Sequence, residues 1–101
     1  MIKVNIIGNN DEIDIKGHAL YDDFGKDIVC AAVSSTVITS INASLLIDEN
    51  SLSYEEGNGL EINILKDDDV TTKIIYNMIS NLKQLEEAYP KNIQIKEENN
   101  E

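Results

Sequence analysis

Several residue types are scarce in this sequence, and each shortage limits what the chain can be. It contains one cysteine, one histidine, one proline and no tryptophan, and its 101 residues include four tyrosines and one phenylalanine. A single cysteine cannot form a disulfide within the chain, so nothing in the composition indicates an oxidising compartment. With so few aromatics, the core must be mostly aliphatic, and 42% hydrophobic residues suffice for one small domain.

Positive charge is also scarce. Arginine is absent, and 8 basic residues face 19 acidic ones, which gives a formal net charge of −11. Nucleic acids and anionic membranes attract basic surfaces, so neither is an expected partner, and a charged partner should be basic. The N-terminus lacks the apolar run of a signal peptide, and no segment is expected to span a bilayer. These observations predict a cytoplasmic protein.

The periodicity of the apolar residues predicts the fold class. Alternation is typical of strands, spacings of three and four are typical of helices, and the run 56–59 (EGNG) is a strong turn signal. The predicted order is β-β-α-β-β-α-β, which indicates an α+β fold: a mostly antiparallel sheet with two helices packed on it. We expect one domain at 1–96 and a disordered acidic tail at 97–101. The predicted elements are strands at 2–7, 12–16, 52–55, 60–65 and 92–96 and helices at 28–47 and 70–85.

The two predicted helices differ in character. The first has a four-residue apolar repeat and many small residues on its other faces, so we expect it to be a buried central helix. The second is amphipathic and follows three aspartates, which favour a helix N-terminus. The expected core faces are Val33, Val37, Ile41 and Leu45 in the first helix, and Val70, Ile74, Met78, Leu82 and Leu85 in the second.

The stretch 17–34, GHALYDDFGKDIVCAAVS, contains the histidine and the cysteine. His18 follows a predicted strand, and Asp27 is a good N-cap for the first helix, which places Cys30 in its first turn. A thiol attacks well as the thiolate, which an imidazolium or unsatisfied N–H groups at a helix N-terminus favour. Cys30 and His18 therefore fit the pattern of a nucleophile and its base.

Some roles around this pair stay open. Asp27 could orient His18 or only cap the helix, and Asp22 and Asp23 are alternatives for the orienting role. The backbone amides of Cys30 and Ala31 could stabilise an oxyanion. Read without any resemblance, Cys30 could equally be a small buried hydrophobe, and His18 a strand-end residue without a partner. One cysteine and one histidine do not make a zinc site, so no metal or cofactor is expected.

The stretch 17–34 resembles the signature of the ribosomal-processing cysteine protease family, often called Prp. The resemblance is carried by Gly17-His18 and by the run 27–31 (DIVCA), and extends to chain length, acidic character and order of elements. It implies a protease that removes a short N-terminal extension, after an aromatic residue, from a large-subunit ribosomal protein.

The resemblance also implies residue roles. Cys30 would be the nucleophile and His18 the general base and then acid, and 19–26 would be a loop that moves when substrate binds. Within and beside that loop, Gly17 and Gly25 are candidate hinges, and Tyr21, Phe24 and Ser34 are candidate substrate contacts. The implied assembly is a homodimer. An acidic surface would attract a basic ribosomal protein, with binding that weakens as salt concentration rises.

Two other functions compete with the protease. The first is a non-enzymatic, ribosome-associated binding module in which Cys30 is buried and inert. The second is another thiol hydrolase, such as a small thioesterase or amidase, which would differ only in substrate. Alkylation of Cys30 near neutral pH separates an active thiol from an inert one.

Overall fold

The computed structural model describes residues 1–17 and 27–98. Within these ranges the chain forms five strands and two helices. They are β1 (Ile2–Ile7), β2 (Glu12–Lys16), α1 (Ile28–Ile47), β3 (Leu52–Glu56), β4 (Leu60–Ile64), α2 (Asp69–Ala88) and β5 (Ile93–Glu98). The predicted α+β order is confirmed.

The five strands form one mixed sheet in the order β3-β4-β2-β1-β5. The two predicted hairpins, β1–β2 and β3–β4, are both present and antiparallel. Two further pairings join the hairpins and complete the sheet: β2 runs antiparallel to β4, and β5 runs parallel to β1. The β2–β4 register aligns Ile15 with Leu60, which brings the β3–β4 turn beside the end of β2.

One face of the sheet carries the core. Alternate residues of each strand point toward the two helices, as the period of two requires, and the opposite face is mainly polar. Both helices pack on the apolar face and against each other. The buried core residues are Ile2, Val4, Ile6, Ile13, Leu52, Ile62 and Ile93 of the sheet, Val29, Val33, Val37 and Ile41 of α1, and Ile75, Met78, Ile79 and Leu82 of α2.

Helix α1 corrects two expectations. It is not a buried central helix, because only one side of it is covered, at Val29, Val33, Val37, Ile41 and Ser44, and Leu46 and Ile47 remain 88% and 62% exposed. The expectation that no segment approaches the length needed to span a bilayer is also wrong. By length and composition, the 20 residues of Ile28–Ile47, with a mean hydropathy of 1.6, are long and apolar enough. In this fold they form a core helix whose apolar stripe packs on the sheet.

Helix α2 is present where predicted, but its buried face is rotated near the N-terminus. Thr71 and Ile75 are buried, whereas Val70 is 47% exposed and Ile74 only half-buried. Tertiary packing selects which side of an amphipathic helix is buried, and here it buries Thr71 and Ile75 in place of Val70 and Ile74. The N-cap is Asp68, which accepts a hydrogen bond from the Thr71 amide at 2.8 Å.

The C-terminal segment corrects the predicted tail. Glu97 and Glu98 belong to β5, where they pair with Ile6 and Ile7 of β1. Glu97 also forms an ion pair with Lys83 of α2 at 2.5 Å. These contacts place two acidic residues in the sheet despite their low strand propensity. Residues 99–101 lie outside the described ranges.

Candidate active site

Helix α1 begins at a capped N-terminus. Asp27 adopts an extended backbone, with φ −75° and ψ 98°, and its Oδ1 accepts hydrogen bonds from the amides of Val29 and Cys30, both at 3.0 Å. These two amides belong to the group that a helix leaves without backbone partners. The predicted N-cap is therefore confirmed, and Cys30 occupies the third helical position.

The Cys30 side chain lies at the boundary between core and solvent. It is half-buried and packs against the hydrophobic core cluster that includes Val29 and Val33. Part of the residue remains accessible, unlike the fully enclosed cysteine that an inert core position would have. Cys30 is thus packed on the core while part of its surface stays exposed to solvent.

Both amides of the predicted oxyanion site have partners in this structure. The Cys30 amide donates to the Asp27 carboxylate at 3.0 Å, and the Ala31 amide donates to the Asp27 carbonyl at 3.1 Å. The Ala31 bond is the first regular bond of the helix, since an amide four residues after the N-cap always has that partner. An oxyanion would have to compete with these bonds, and the role assigned to the two amides stays a prediction.

Gly17 ends strand β2 in a conformation that favours glycine. Its φ is +93°, and a Cβ added there would overlap the carbonyl oxygen of Met1. Only a residue without a side chain can make this bend against the first residue of the chain. The conformation of Gly17 therefore sets the direction in which the chain leaves the sheet toward His18.

Six of the predicted site residues lie outside the described ranges. They are the catalytic candidate His18, the alternative orienting residues Asp22 and Asp23, the candidate hinge Gly25 and the candidate substrate contacts Tyr21 and Phe24. Their assigned roles stay predictions. Ser34 is described: it is exposed, one helical turn after Cys30.

A groove of about 310 Å³ lies between α1 and the β3–β4 turn, and its lining on α1 begins one turn after Cys30, at Val33 and Ser34. One wall is the side of α1 that carries Ser34 and Ile38, and the other comes from the turn and from Ile15 of β2. The walls meet because Gly59 packs closely on β2: a Cβ there would lie 2.6 Å from the carbonyl oxygen of Ile15. The lining residues are Ile15, Val33, Ser34, Val37, Ile38, Glu56, Gly57, Gly59 and Leu60.

Sequence reasoning missed the contribution of the β3–β4 turn to this groove. The EGNG run predicted a turn, but its position beside α1 depends on the β2–β4 pairing, which the hairpin patterns do not reveal. One indication of the groove was present in the sequence, at Ile38, which is an apolar residue outside the four-residue stripe of α1.

A cluster of carboxylates lies on the opposite face of the sheet. Oxygen atoms of Glu12, Asp14 and Glu61 lie within 4.8 Å of one another, in a combination that could hold a hard cation. A hydrogen bond with Asp14, followed by desolvation and the charges of Asp14 and Glu61, raises the pKa of Glu12 above its usual value. Because Ile13 and Ile62 on the same strands face the helices, this cluster points away from Cys30.

The fold and the placement of its one cysteine point to the class of small cysteine hydrolases. A model of the family described as cysteine protease Prp matches residues 1–94, and the chain belongs to that family. The family resemblance of the 17–34 stretch is thereby confirmed.

Two relatives extend over nearly the whole chain. The ribosomal processing cysteine protease Prp of Staphylococcus aureus strain Mu50 is 32% identical over 99 residues, covering 93% of this chain and 92% of the relative. The protein of the same name from Mycoplasma genitalium is 34% identical over 104 residues, covering 100% of both. The likeness therefore includes every element of the fold.

A solved structure agrees with the fold in detail. The crystal structure of the S. aureus ribosomal processing protease Prp, in complex with a covalently linked product peptide, superposes with a TM-score of 0.89. It is 28% identical in sequence and covers 96% of this chain and 99% of its own. The five-stranded mixed sheet with two helices is thus an architecture that this family shares.

Proposed function

We propose that this protein is a cysteine endopeptidase that removes the short N-terminal extension of a large-subunit ribosomal protein. One observation carries the proposal: in a chain of the Prp family, Cys30 lies half-buried in the first turn of a capped helix. The names of the S. aureus and M. genitalium relatives support the ribosomal substrate, and the peptide bound covalently to the S. aureus protein supports a covalent mechanism. The protein acts in the cytoplasm as a homodimer.

The reaction uses Cys30 and His18 as a dyad. His18 accepts the proton of the thiol while Sγ attacks the carbonyl carbon of the scissile bond, and the resulting imidazolium gives that proton to the leaving amine nitrogen. The products of this half-reaction are a thioester on Cys30 and a free amine. Water then attacks the thioester carbonyl, His18 takes the water proton, and the resulting imidazolium returns that proton to the thiolate as the C–S bond breaks. The peptide bond is thereby hydrolysed and the enzyme regenerated.

The charge of the chain fits this substrate. A net charge of −11 produces a field that attracts basic proteins, and ribosomal proteins are generally basic because they bind RNA. Glu56, beside the β3–β4 turn, lines the groove between that turn and α1. Charge complementarity of this kind accelerates encounter and orients the substrate more than it adds affinity.

We also propose that Asp27 orients His18, in addition to capping α1. A matched pair of variants separates these two roles. Asp27→Ala and Asp68→Ala each remove an N-cap, and both are expected to lower the free energy of unfolding by about 1 kcal/mol. Only Asp27→Ala is expected also to lower kcat/KM, by about tenfold or more, since Asp68 caps α2 away from Cys30. Urea unfolding and peptide cleavage give the two readouts.

A further variant makes this comparison specific. Asp27→Asn keeps a side-chain oxygen for the Val29 and Cys30 amides but loses the charge that would stabilise an imidazolium. We expect it to keep most of the stability and to lose activity. Equal activity in Asp27→Asn, Asp68→Ala and the unmodified protein would restrict Asp27 to capping.

The function is tested directly with a peptide that spans the N-terminal extension of the ribosomal protein and the residues after it. The unmodified protein is expected to cleave this peptide and to leave a scrambled peptide of equal composition intact. Iodoacetamide should label Cys30 near neutral pH and abolish cleavage in proportion to labelling, as mass spectrometry of both reactions would show. No cleavage, together with a Cys30 that alkylates only after unfolding, would favour the non-enzymatic binding module.

A further inference from the structure

We propose that the outer edge of β3 binds an extended segment of the ribosomal substrate, rich in lysine or arginine, by adding it to the sheet as a further strand. This inference rests on the proposed function, because that function supplies a basic protein as the partner. Within the described residues, β3 is the last strand on its side of the sheet and pairs only with β4. Its other side presents main-chain N–H and C=O groups that another chain can use.

The β3–β4 register shows which main-chain groups point away from β4. The amide of Leu65 donates to the carbonyl of Ser51, and the amide of Gly57 donates to the carbonyl of Gly59, both at 2.9 Å. In an antiparallel pair, residues that bond to the partner strand alternate with residues whose main-chain groups face the other way. The odd-numbered residues from 51 to 57 thus bond to β4, and the even-numbered ones direct their N–H and C=O groups outward.

Two of the outward-facing residues are accessible. Leu52 is only 2% exposed, whereas Tyr54 is 47% exposed and Glu56 is exposed as well. Among the residues that the structure describes, the main-chain groups of Tyr54 and Glu56 have no hydrogen-bond partner. An added strand would therefore form up to about four main-chain bonds over residues 53–56, two at each of these residues.

The opposite edge of the sheet is closed. The Ile95 amide of β5 donates to Oε2 of Glu86 at 2.7 Å, and Lys83 holds Glu97 in the ion pair described above. Side chains of α2 thus occupy the edge of β5. Proteins commonly protect a sheet edge in this way when it is not to pair with another chain. In the described part of the fold, the edge of β3 has no such protection.

Carboxylates beside the open edge favour a basic occupant. The register places Glu55 opposite Glu61 and Glu61 opposite Asp14, so three carboxylates form a row across β3, β4 and β2. None of the three takes part in an ion pair between described residues. Like charges at opposed positions destabilise a sheet. A lysine or arginine placed opposite Glu55 by an added strand would offset this repulsion.

The sheet also specifies the pattern of side chains in the added strand. Side chains alternate between the two faces of a sheet, so the residue opposite Glu55 lies on the polar face and the residue opposite Tyr54 lies on the helix face. A basic residue fits the first position, and a β-branched residue packs well against the exposed ring of Tyr54. The expected ligand carries basic residues at alternate positions, with β-branched residues between them.

A second copy of this chain is a poorer occupant of the edge. An antiparallel pairing of two β3 strands that uses both accessible residues sets each Tyr54 opposite a Glu56, and it then sets Glu55 opposite Glu55. The two facing carboxylates repel each other, and each copy carries a net charge of −11. Charge therefore favours a basic segment at this edge.

The binding test uses a short labelled peptide of alternating lysine and threonine, with fluorescence anisotropy as the readout. Tyr54→Pro removes an outward N–H group and keeps the bonds between β3 and β4, because proline is tolerated on that side of an edge strand. We expect it to raise the Kd about tenfold, and we expect Tyr54→Thr, which keeps the N–H group, to raise it about threefold or less. Glu55→Gln should also weaken binding, whereas Glu87→Gln, on the exposed surface of α2, should not.

A second measurement needs no variant. Binding of the peptide should slow hydrogen exchange of the Tyr54 and Glu56 amides about tenfold or more. It should leave the Ser53 and Glu55 amides unchanged, because these already bond to β4. Thermal melting shows whether Tyr54→Pro is folded. In cleavage assays, an excess of the peptide should slow hydrolysis of the whole ribosomal protein by the unmodified enzyme.

Each other outcome identifies what fails. Equal Kd values for Tyr54→Pro and Tyr54→Thr, or unchanged exchange of the Tyr54 and Glu56 amides, overturn the edge site alone. Cleavage of the ribosomal protein that excess peptide does not slow overturns the substrate as the occupant. No cleavage by the unmodified protein overturns the proposed function, whatever binds at β3. Conversion of a dimer to a monomer by Tyr54→Pro, seen by size-exclusion chromatography, also overturns the edge site, because a second copy would then cover it.

Discussion

Cleavage of the ribosomal peptide is expected to fall at least about a thousandfold in Cys30→Ala, while the variant still binds the peptide. The thioester cannot form without Sγ, and the chain has no second cysteine to replace it. Peptide binding should persist because the substitution removes only Sγ and leaves the rest of the protein unchanged. A discontinuous cleavage assay gives kcat/KM, and fluorescence anisotropy of a labelled peptide gives the Kd.

The companion variant, His18→Ala, separates the nucleophile from its base. Loss of a general base costs typically about 10²- to 10⁴-fold in rate, so some cleavage should remain. Alkylation of Cys30 by iodoacetamide should slow in His18→Ala, whereas Cys30→Ala should take up no label at all. Cleavage by Cys30→Ala at the unmodified rate would exclude Cys30 as the nucleophile, and an unchanged alkylation rate in His18→Ala would exclude the dyad.

The second large effect is expected at Gly17. Gly17→Ala places a Cβ on a residue with φ +93° and against the carbonyl oxygen of Met1, so the backbone must shift at the end of β2. Left-handed strain costs an ordinary residue about 1 to 3 kcal/mol, and the overlap adds to it, so unfolding should become easier by about 2 to 4 kcal/mol. Urea unfolding followed by circular dichroism measures this change.

A matched glycine controls for the substitution itself. A Cβ on Gly57 would meet no atom within 4 Å, so Gly57→Ala should change the free energy of unfolding by less than about 0.5 kcal/mol. Gly17→Ala should also reduce cleavage at temperatures where the variant is still folded, because the shift displaces the attachment of His18. Equal stability of the two variants would show that the bend at Gly17 carries no strain.

The sequence predicts local structure well where a single pattern decides it. Alternating isoleucines place β1 and β2, and Asp27 before an apolar run predicts both the start of α1 and the position of Cys30 within it. The pairing of β2 with β4, and of β5 with β1, depends on contacts between distant segments, which no local pattern specifies. The same limit explains why Val70 of α2 was predicted to face the core and is exposed. Tertiary packing, and not the local pattern, selects which side of an amphipathic helix is buried.

The candidate site also has parts that a local pattern predicts and parts that depend on contacts between distant segments. Cys30 and its cap could be predicted because a helix N-terminus has a local signature. The present partners of the Cys30 and Ala31 amides were not predicted: one donates to the carboxylate of Asp27 and the other to its carbonyl. The groove could not be predicted, because Ile38 of α1 and Glu56 of β3 come to line the same groove only when the sheet is assembled.

The parallel pairing of β5 with β1 has a consequence for the order in which the sheet folds. Strand β1 is made before β5, so one edge of β1 stays unpaired until the segments between them are ordered. A pairing between segments so far apart in a chain is slow to form, because the intervening segment must be ordered first. The β1–β5 edge of the sheet is therefore expected to close last, after the two hairpins have formed.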